Sequence, residues 1–237
     1  AEGSSPPWDK DFYDDPQYIP QSSEDCLYLN IYVPQGAKDC PVAFWIHGGA
    51  FLGGNASEKE FDGAEYCRRG VILVSVQYRL GLFGFLAHPW LTEEAGTSGN
   101  YGILDQIAAL KWVHENIAAF GGNPENITVF GQSAGAMSVQ TLISSPMTKD
   151  LIKKAIMQSG GSYGEGLHRD ITLKEQESFG MIFSEVLNID ECLTYECESD
   201  NQEEILNKIN NFEKQLLTKG FYRVFDTYKQ DYQYRIG

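Results

Sequence analysis

Hydrophobic and polar residues alternate over residues 26–33, with Leu27, Leu29, Ile31 and Val33 on one face and Tyr28, Asn30 and Tyr32 on the other. A period of two predicts a half-buried strand, which Pro34 ends. Two short apolar runs follow at 41–46 (PVAFWI) and 71–76 (VILVSV), each bounded by Gly-rich or charged turns. Runs that are apolar on both faces are the pattern of buried parallel strands. Between Gly99 and Gly121 the period changes. Ile103, Ile107, Leu110, Val113 and Ile117 recur at intervals of three and four, which predicts an amphipathic helix closed by Gly121 and Gly122. A strand is expected at 127–130, then a tight turn at 131–135, a helix of small residues from about Ala134 to Ile143, and another buried strand at 155–158. This alternation of strands and helices with short connectors predicts an open, mostly parallel α/β sheet with helices on both faces and right-handed crossovers.

The pattern changes twice outside that core. Residues 1–25 read as an acidic, Pro-containing, irregular lead-in. After Gly166, segment 172–218 reads as two charged amphipathic helical stretches around an acidic break, and the aromatic end of the chain has no clear period. Two parts are therefore expected: 1–166 carries the sheet, and 167–237 is a mainly helical continuation of the same domain that packs poorly onto it. At 237 residues the chain is long enough for one sizeable core.

Composition narrows the function by exclusion. A net charge of −15 argues against nucleic acid and anionic membrane surfaces as partners. No apolar run approaches the roughly 20 residues that span a bilayer. The first residues lack the basic and apolar regions of a signal peptide. The five cysteines (Cys26, Cys40, Cys67, Cys192 and Cys197) follow no metal-ligand or redox spacing, so neither metal nor cofactor is expected. Scattered free thiols lean toward a reducing, cytoplasmic compartment.

The chemistry is concentrated in two glycine-rich loops. Gly131-Gln132-Ser133-Ala134-Gly135 matches G-x-S-x-G, with the β-branched run Ile127, Thr128, Val129 before it and a helix after it. In that context the serine stands on a strained strand-to-helix turn, as a nucleophile does, and the helix start offers the Ala134 amide to a developing oxyanion. The second loop, His47-Gly48-Gly49-Ala50-Phe51, follows the strand expected to end at Ile46 and has the form of a loop whose main-chain amides complete an oxyanion hole. His47 reads as a pinned structural side chain rather than a general base. Each loop follows the C-terminal end of a predicted strand, where open α/β sheets place their sites.

Segments 22–34 (SEDCLYLNIYVP), 47–51, 74–86 (VSVQYRLGLFGFL), 99–135 and 156–161 (IMQSGG) together resemble the type-B carboxylesterase and cholinesterase family, over about residues 20–166. The resemblance implies an α/β-hydrolase fold and hydrolysis of small-molecule carboxylic esters through an acyl-enzyme on Ser133. It also implies a triad of serine, acid and histidine, and an oxyanion hole from the amides of Gly49, Ala50 and Ala134. Ser159 would support the acid from behind, and 161–166 would flank the acyl pocket. Members of that family are longer, with acid and histidine well after the serine. Here His168 is the one histidine after Ser133, and it reads as an exposed loop residue. The chain is thus expected to be an internal part of such a domain, incomplete at both ends, with its acid and base beyond the end. Cys26 matches a cysteine that is disulfide-bonded in secreted relatives and has no cysteine upstream, so it is free or has lost its partner. A non-catalytic adhesion-type relative and a lipase or peptidase of the same fold are the alternatives. There are two N-x-S/T sequons, at Asn55 and Asn126; the second stands at a strand entrance and reads as a turn feature rather than a glycan site, and the aromatic residues Trp45, Phe51, Phe83 and Phe85 read as core.

Overall fold

The computed structural model describes residues 23, 25–58, 61–161 and 171–187. Its framework is a five-stranded sheet of β1 (Leu29–Tyr32), β2 (Cys40–Ile46), β3 (Ile72–Val76), β4 (Gly122–Gln132) and β5 (Lys154–Gln158). The strands lie in the order β1-β3-β2-β4-β5. β1 runs antiparallel to β3, and the other pairings are parallel. The short first strand can therefore stand at one edge, while the apolar runs that need cover on both sides occupy the middle.

Alternation along β2 divides the core between the two faces. Val42, Phe44 and Ile46 join Ile72, Val74 and Val76 on one side, against Ile107, Leu110 and Val113 of α4 (Tyr101–Asn116) and Val139 and Leu142 of α5 (Ala134–Ser144). Ala43 and Trp45 point the other way with Leu73 and Phe130, beneath Tyr66 of α1 (Ala64–Arg68) and Phe61. The expected helix over 99–121 is α4 followed by a 3-10 turn at Ile117–Phe120, and Gly121 closes it in a left-handed conformation at φ 80°.

Four expectations need correction. The alternating segment 26–33 pairs only over β1, and Leu27 and Val33 are exposed, because Pro34 and the short partner strand leave no ladder for them. β5 forms where expected but every residue of it is exposed, since its one paired neighbour in the sheet is β4. The aromatics do not form one cluster: Trp45 packs on Phe61 and Phe130, Phe51 packs on Phe85, and Phe83 faces outward. The tail also docks in part. Helix α6 (Leu173–Leu187) lies against Ala87 and His88, which precede α3 (Pro89–Ala95). A Cβ at Gly180 would collide with the Ala87 carbonyl, so glycine there lets the helix come close. His88 Nδ1 accepts from the Trp90 amide at 3.2 Å, so Nε2 carries the proton and donates to Ser184 Oγ at 2.9 Å. The second predicted helical stretch, the acidic break, Cys192 and Cys197 lie outside the described residues.

Candidate active site

Ser133 joins the end of β4 to the start of α5 with φ 54° and ψ −121°, a backbone state that a residue with a Cβ occupies only under constraint. The constraint is visible on both sides. Its amide donates to Gln158 O on β5 at 2.9 Å, and its carbonyl accepts from the Met137 amide at 3.1 Å as α5 begins. The turn is tight enough that a Cβ at Gly131 would lie 2.5 Å from the Gly135 carbonyl carbon. One at Gly135 would strike the Ile46 carbonyl oxygen and lie 2.9 Å from that of His47. Both glycines of the motif are therefore packing requirements.

The 47–51 loop meets this turn directly. A Cβ on Gly48 would stand 3.2 Å from Ser133 Cβ and 2.8 Å from the Gln132 carbonyl oxygen. The loop thus lies at the same end of the sheet as the serine. Beyond Gly48 the chain enters left-handed conformations at Gly49 (φ 100°), Ala50 (φ 55°) and Phe51 (φ 62°). The Gly49 carbonyl is turned inward to accept from the amides of Leu52 (2.9 Å) and Gly53 (3.0 Å). Ala134 opens α5 and is 1% exposed, so its amide belongs to a helix N-terminus, with the partial positive charge found there.

His47 is fully buried and its Nδ1 lies 2.8 Å from the Gly48 carbonyl oxygen. Burial pushes its pKa down to about 4, partly opposed by that hydrogen bond. A neutral ring with the proton on Nδ1 fits the geometry, which makes His47 a pin within the loop, as its sequence context suggested. Of the other described histidines, His88 bonds Trp90 and Ser184, and His114 Nε2 lies 3.7 Å from a Glu125 carboxylate oxygen. His168 lies outside the described residues, as does 162–166 of the expected acyl-pocket segment. Ser159 follows β5 with φ 51°, and Gly160 comes so close that a Cβ there would collide with the Ser133 carbonyl oxygen. Among the described residues, no group of His, Cys, Asp and Glu side chains is arranged to hold a metal ion. No helix among them is long and apolar enough to cross a membrane. Cys26, Cys40 and Cys67 are free thiols. Asn55 is buried, with Oδ1 accepting from the Ser57 amide at 2.8 Å, and Asn126 Oδ1 accepts from Lys154 Nζ at 3.3 Å.

A strained serine at a strand-to-helix turn, beside a glycine loop at the end of the neighbouring parallel strand, is the arrangement expected of an α/β-hydrolase. The carboxylesterase family model matches residues 2–228. The chain belongs to the carboxylesterase family. It is 50% identical over 175 residues to para-nitrobenzyl esterase of Bacillus subtilis (strain 168), covering 73% of this chain and 34% of that protein. It is 47% identical over 165 residues to fumonisin B1 esterase of Sphingopyxis macrogoltabida, covering 68% and 30%. A solved thermophilic PNB esterase superposes with a TM-score of 0.71 at 44% identity, over 82% of this chain and 39% of that one. The fold is that of the α/β-hydrolases, as the motifs implied. The chain spans about a third of the length of these curated relatives.

The sequence reading did not find the residues that hold the 47–51 loop in place. Tyr78 Oη donates to the His47 carbonyl at 2.9 Å, and the Gly81 amide donates to the Phe51 carbonyl at 2.7 Å. Arg79, between them, grips Asp105 of α4 through Nε (2.8 Å), Nη2 (2.7 Å) and its own amide (3.0 Å). The segment 74–86 carried the family resemblance, but no period or spacing in it points to these contacts.

Proposed function

We propose that the protein is a serine carboxylic-ester hydrolase that works through an acyl-enzyme on Ser133. The observation that carries the reading is the strained backbone of Ser133 beside the 47–51 loop. A serine held at a positive φ exposes its Oγ above the sheet rather than burying it along the strand, and such strain persists where function depends on it.

In this reading Ser133 Oγ attacks the ester carbonyl carbon while a histidine outside the described residues takes its proton. The amides of Gly49, Ala50 and Ala134 donate to the oxyanion of the tetrahedral intermediate. The intermediate collapses, the alcohol leaves with the proton that the histidine returns, and Ser133 is left acylated. Water activated by the same histidine then releases the acid. Ser159, at the end of β5 and near the elbow, supports the acidic partner of that histidine. The substrate is a small-molecule carboxylic ester, and no step calls for a metal or an organic cofactor. The relatives named above are esterases, which favours this reading over an adhesion-type protein of the same fold.

The test is covalent labelling of the natural protein with a fluorophosphonate, followed by mass spectrometry of the tryptic peptides. The adduct should sit on Ser133 and turnover of p-nitrophenyl acetate should vanish with it. Ser133→Ala should remove both, leaving a background several orders of magnitude lower from the oxyanion hole and binding alone. An adduct on another residue, or full turnover in Ser133→Ala, would overturn the reading.

A further inference from the structure

We infer that Tyr78 is a positioning residue for catalysis: its buried hydroxyl sets the oxyanion loop against the nucleophile turn. The inference rests on the esterase reading of Ser133 and extends it to a side chain that touches neither substrate nor serine.

The argument begins with how the loop is anchored. Residues 47–51 leave the sheet after β2 and contain three consecutive left-handed residues, so their own backbone conformation holds them only weakly. Two hydrogen bonds bracket the loop, one from Tyr78 Oη to the His47 carbonyl and one from the Gly81 amide to the Phe51 carbonyl. Both donors belong to the turn that follows β3. That turn is itself fixed, because Arg79 binds Asp105 through three donors and lies over the Tyr101 ring at 5.3 Å. The loop that offers the Gly49 and Ala50 amides is therefore fastened to α4 through residues 78–81.

Tyr78 acts on His47 in a second way. Their rings stack at 4.5 Å between centroids with 21° between planes, and the Tyr78 side chain is 1% exposed. The stack holds the imidazole where Nδ1 meets the Gly48 carbonyl. Gly54 closes the other side, since a Cβ there would lie 2.5 Å from Nδ1. The His47 carbonyl that accepts from Tyr78 also faces Gly135 of the serine turn, next to the closer carbonyl of Ile46: a Cβ on Gly135 would lie 2.9 Å from the His47 oxygen. One carbonyl thus touches the tyrosine, the oxyanion loop and the start of α5. Its direction fixes the distance between the amides on the loop and the serine on the turn. A small displacement there matters, because oxyanion donors act only when aimed at the place where charge develops.

A residue that aligns donors for the transition state should affect kcat and leave ground-state binding alone. Tyr78→Phe keeps the ring and its stack and removes only the hydroxyl. In the natural protein, kcat for p-nitrophenyl acetate should fall about 10- to 100-fold with KM unchanged within about twofold, somewhat less than the loss of an oxyanion donor itself. Affinity for a trifluoromethyl ketone, which forms a tetrahedral adduct, should fall in parallel with kcat. Amide exchange at 48–51 should rise while exchange in α4 and β2 stays as it was, and this second readout does not need activity. Ser133→Ala is assayed alongside. If it keeps its turnover, the esterase reading fails and this inference with it. If it loses turnover while Tyr78→Phe keeps wild-type kcat and wild-type exchange at 48–51, the Tyr78 role alone is refuted. A rise in KM with a fall in kcat, together with faster exchange throughout the sheet, would also refute it, since that is the signature of general destabilisation.

Discussion

Two residues near Ser133 show how local sterics and burial become testable properties. Gly135 starts the first turn of α5 where the Ile46 and His47 carbonyls leave no room for a methyl group. Gly135→Ala forces the helix start away from β2 or the carbonyls out of line. Backbone atoms cannot swing aside as a side chain does, so the loss should reach about 2 kcal/mol or more. Chemical denaturation should show that loss, whereas a substitution on the outer face of α5, Thr141→Ala, should stay within about 0.5 kcal/mol. His47 supplies a pH dependence. Burial moves its pKa from 6.5 in the exposed state to about 4 in the fold. The unfolded chain gains a proton as pH drops below the higher value, while the folded ring stays neutral until the lower one. The stability is therefore complete above about pH 6.5 and declines by roughly 3 kcal/mol in passing down to about pH 4. Denaturation midpoints at about pH 7.5 and about pH 4.5 should differ accordingly, and His47→Gln should shrink the difference. Equal midpoints in the wild-type protein would mean that the ring is protonated in the fold or exposed.

At the scale of elements, periodicity was informative wherever a segment packs on one partner throughout its length. The three-and-four spacing from Ile103 to Ile117 is α4, and the doubly apolar runs at 41–46 and 71–76 are the central strands β2 and β3. It was silent for α2 (Gly81–Phe85) and α3, whose five and seven residues are too short to display a face. It placed β5 as a strand but its period carried no sign of exposure, because an apolar strand becomes buried only when something lies beside it. The two glycine-rich motifs were legible because their glycines are dictated by close backbone contacts. Tyr78, Asp105 and the His88–Ser184 pair were not, since the last joins residues 96 positions apart and each depends on the folded topology. That pair makes a prediction of its own. Ser184 Oγ accepts a hydrogen bond from His88 Nε2 and donates to the Gly180 carbonyl at 3.3 Å, fastening α6 to the loop ahead of α3. Ser184→Ala leaves a buried N–H without its acceptor and should cost about 1–3 kcal/mol. Because this hydrogen bond ties α6 to the start of α3, the effect should appear as faster amide exchange confined to 173–187 and the start of α3. Unchanged exchange there would show that the apolar contacts of α6 suffice without the hydrogen bond.

Among the described residues the sheet has an enclosed middle and two edges. β2, β3 and β4 carry the buried apolar clusters of both faces, and β1 finishes the sheet on one side as a short, half-buried strand flanked by the exposed Leu27, Tyr28 and Val33. On the other side β5 pairs, among the described residues, with β4 alone, and Ile156 and Met157 are 50% and 46% exposed. These two residues occupy opposite faces of the strand, since successive side chains alternate. Both faces are therefore apolar at an edge whose outward backbone groups are available for pairing. Exposed edges of this kind recruit further strands unless a charge, a proline or a bulge blocks them, and here Lys154 supplies a charge only at the first position. The same strand carries Gln158, whose carbonyl holds the Ser133 amide, so disturbance at the edge reaches the Ser133 turn. The 237-residue chain on its own should accordingly associate at micromolar concentration and unfold over a broad thermal range, with light scattering rising before the transition ends. Ile156→Lys places a charge in the middle of the open strand and should delay that scattering without weakening the sheet, because the side chain replaced is already half exposed. Size-exclusion chromatography with in-line light scattering distinguishes the outcomes. A monomeric wild-type chain with one sharp, reversible transition would mean that residues outside the described set close this edge. Association that Ile156→Lys leaves unchanged would locate the sticky surface elsewhere.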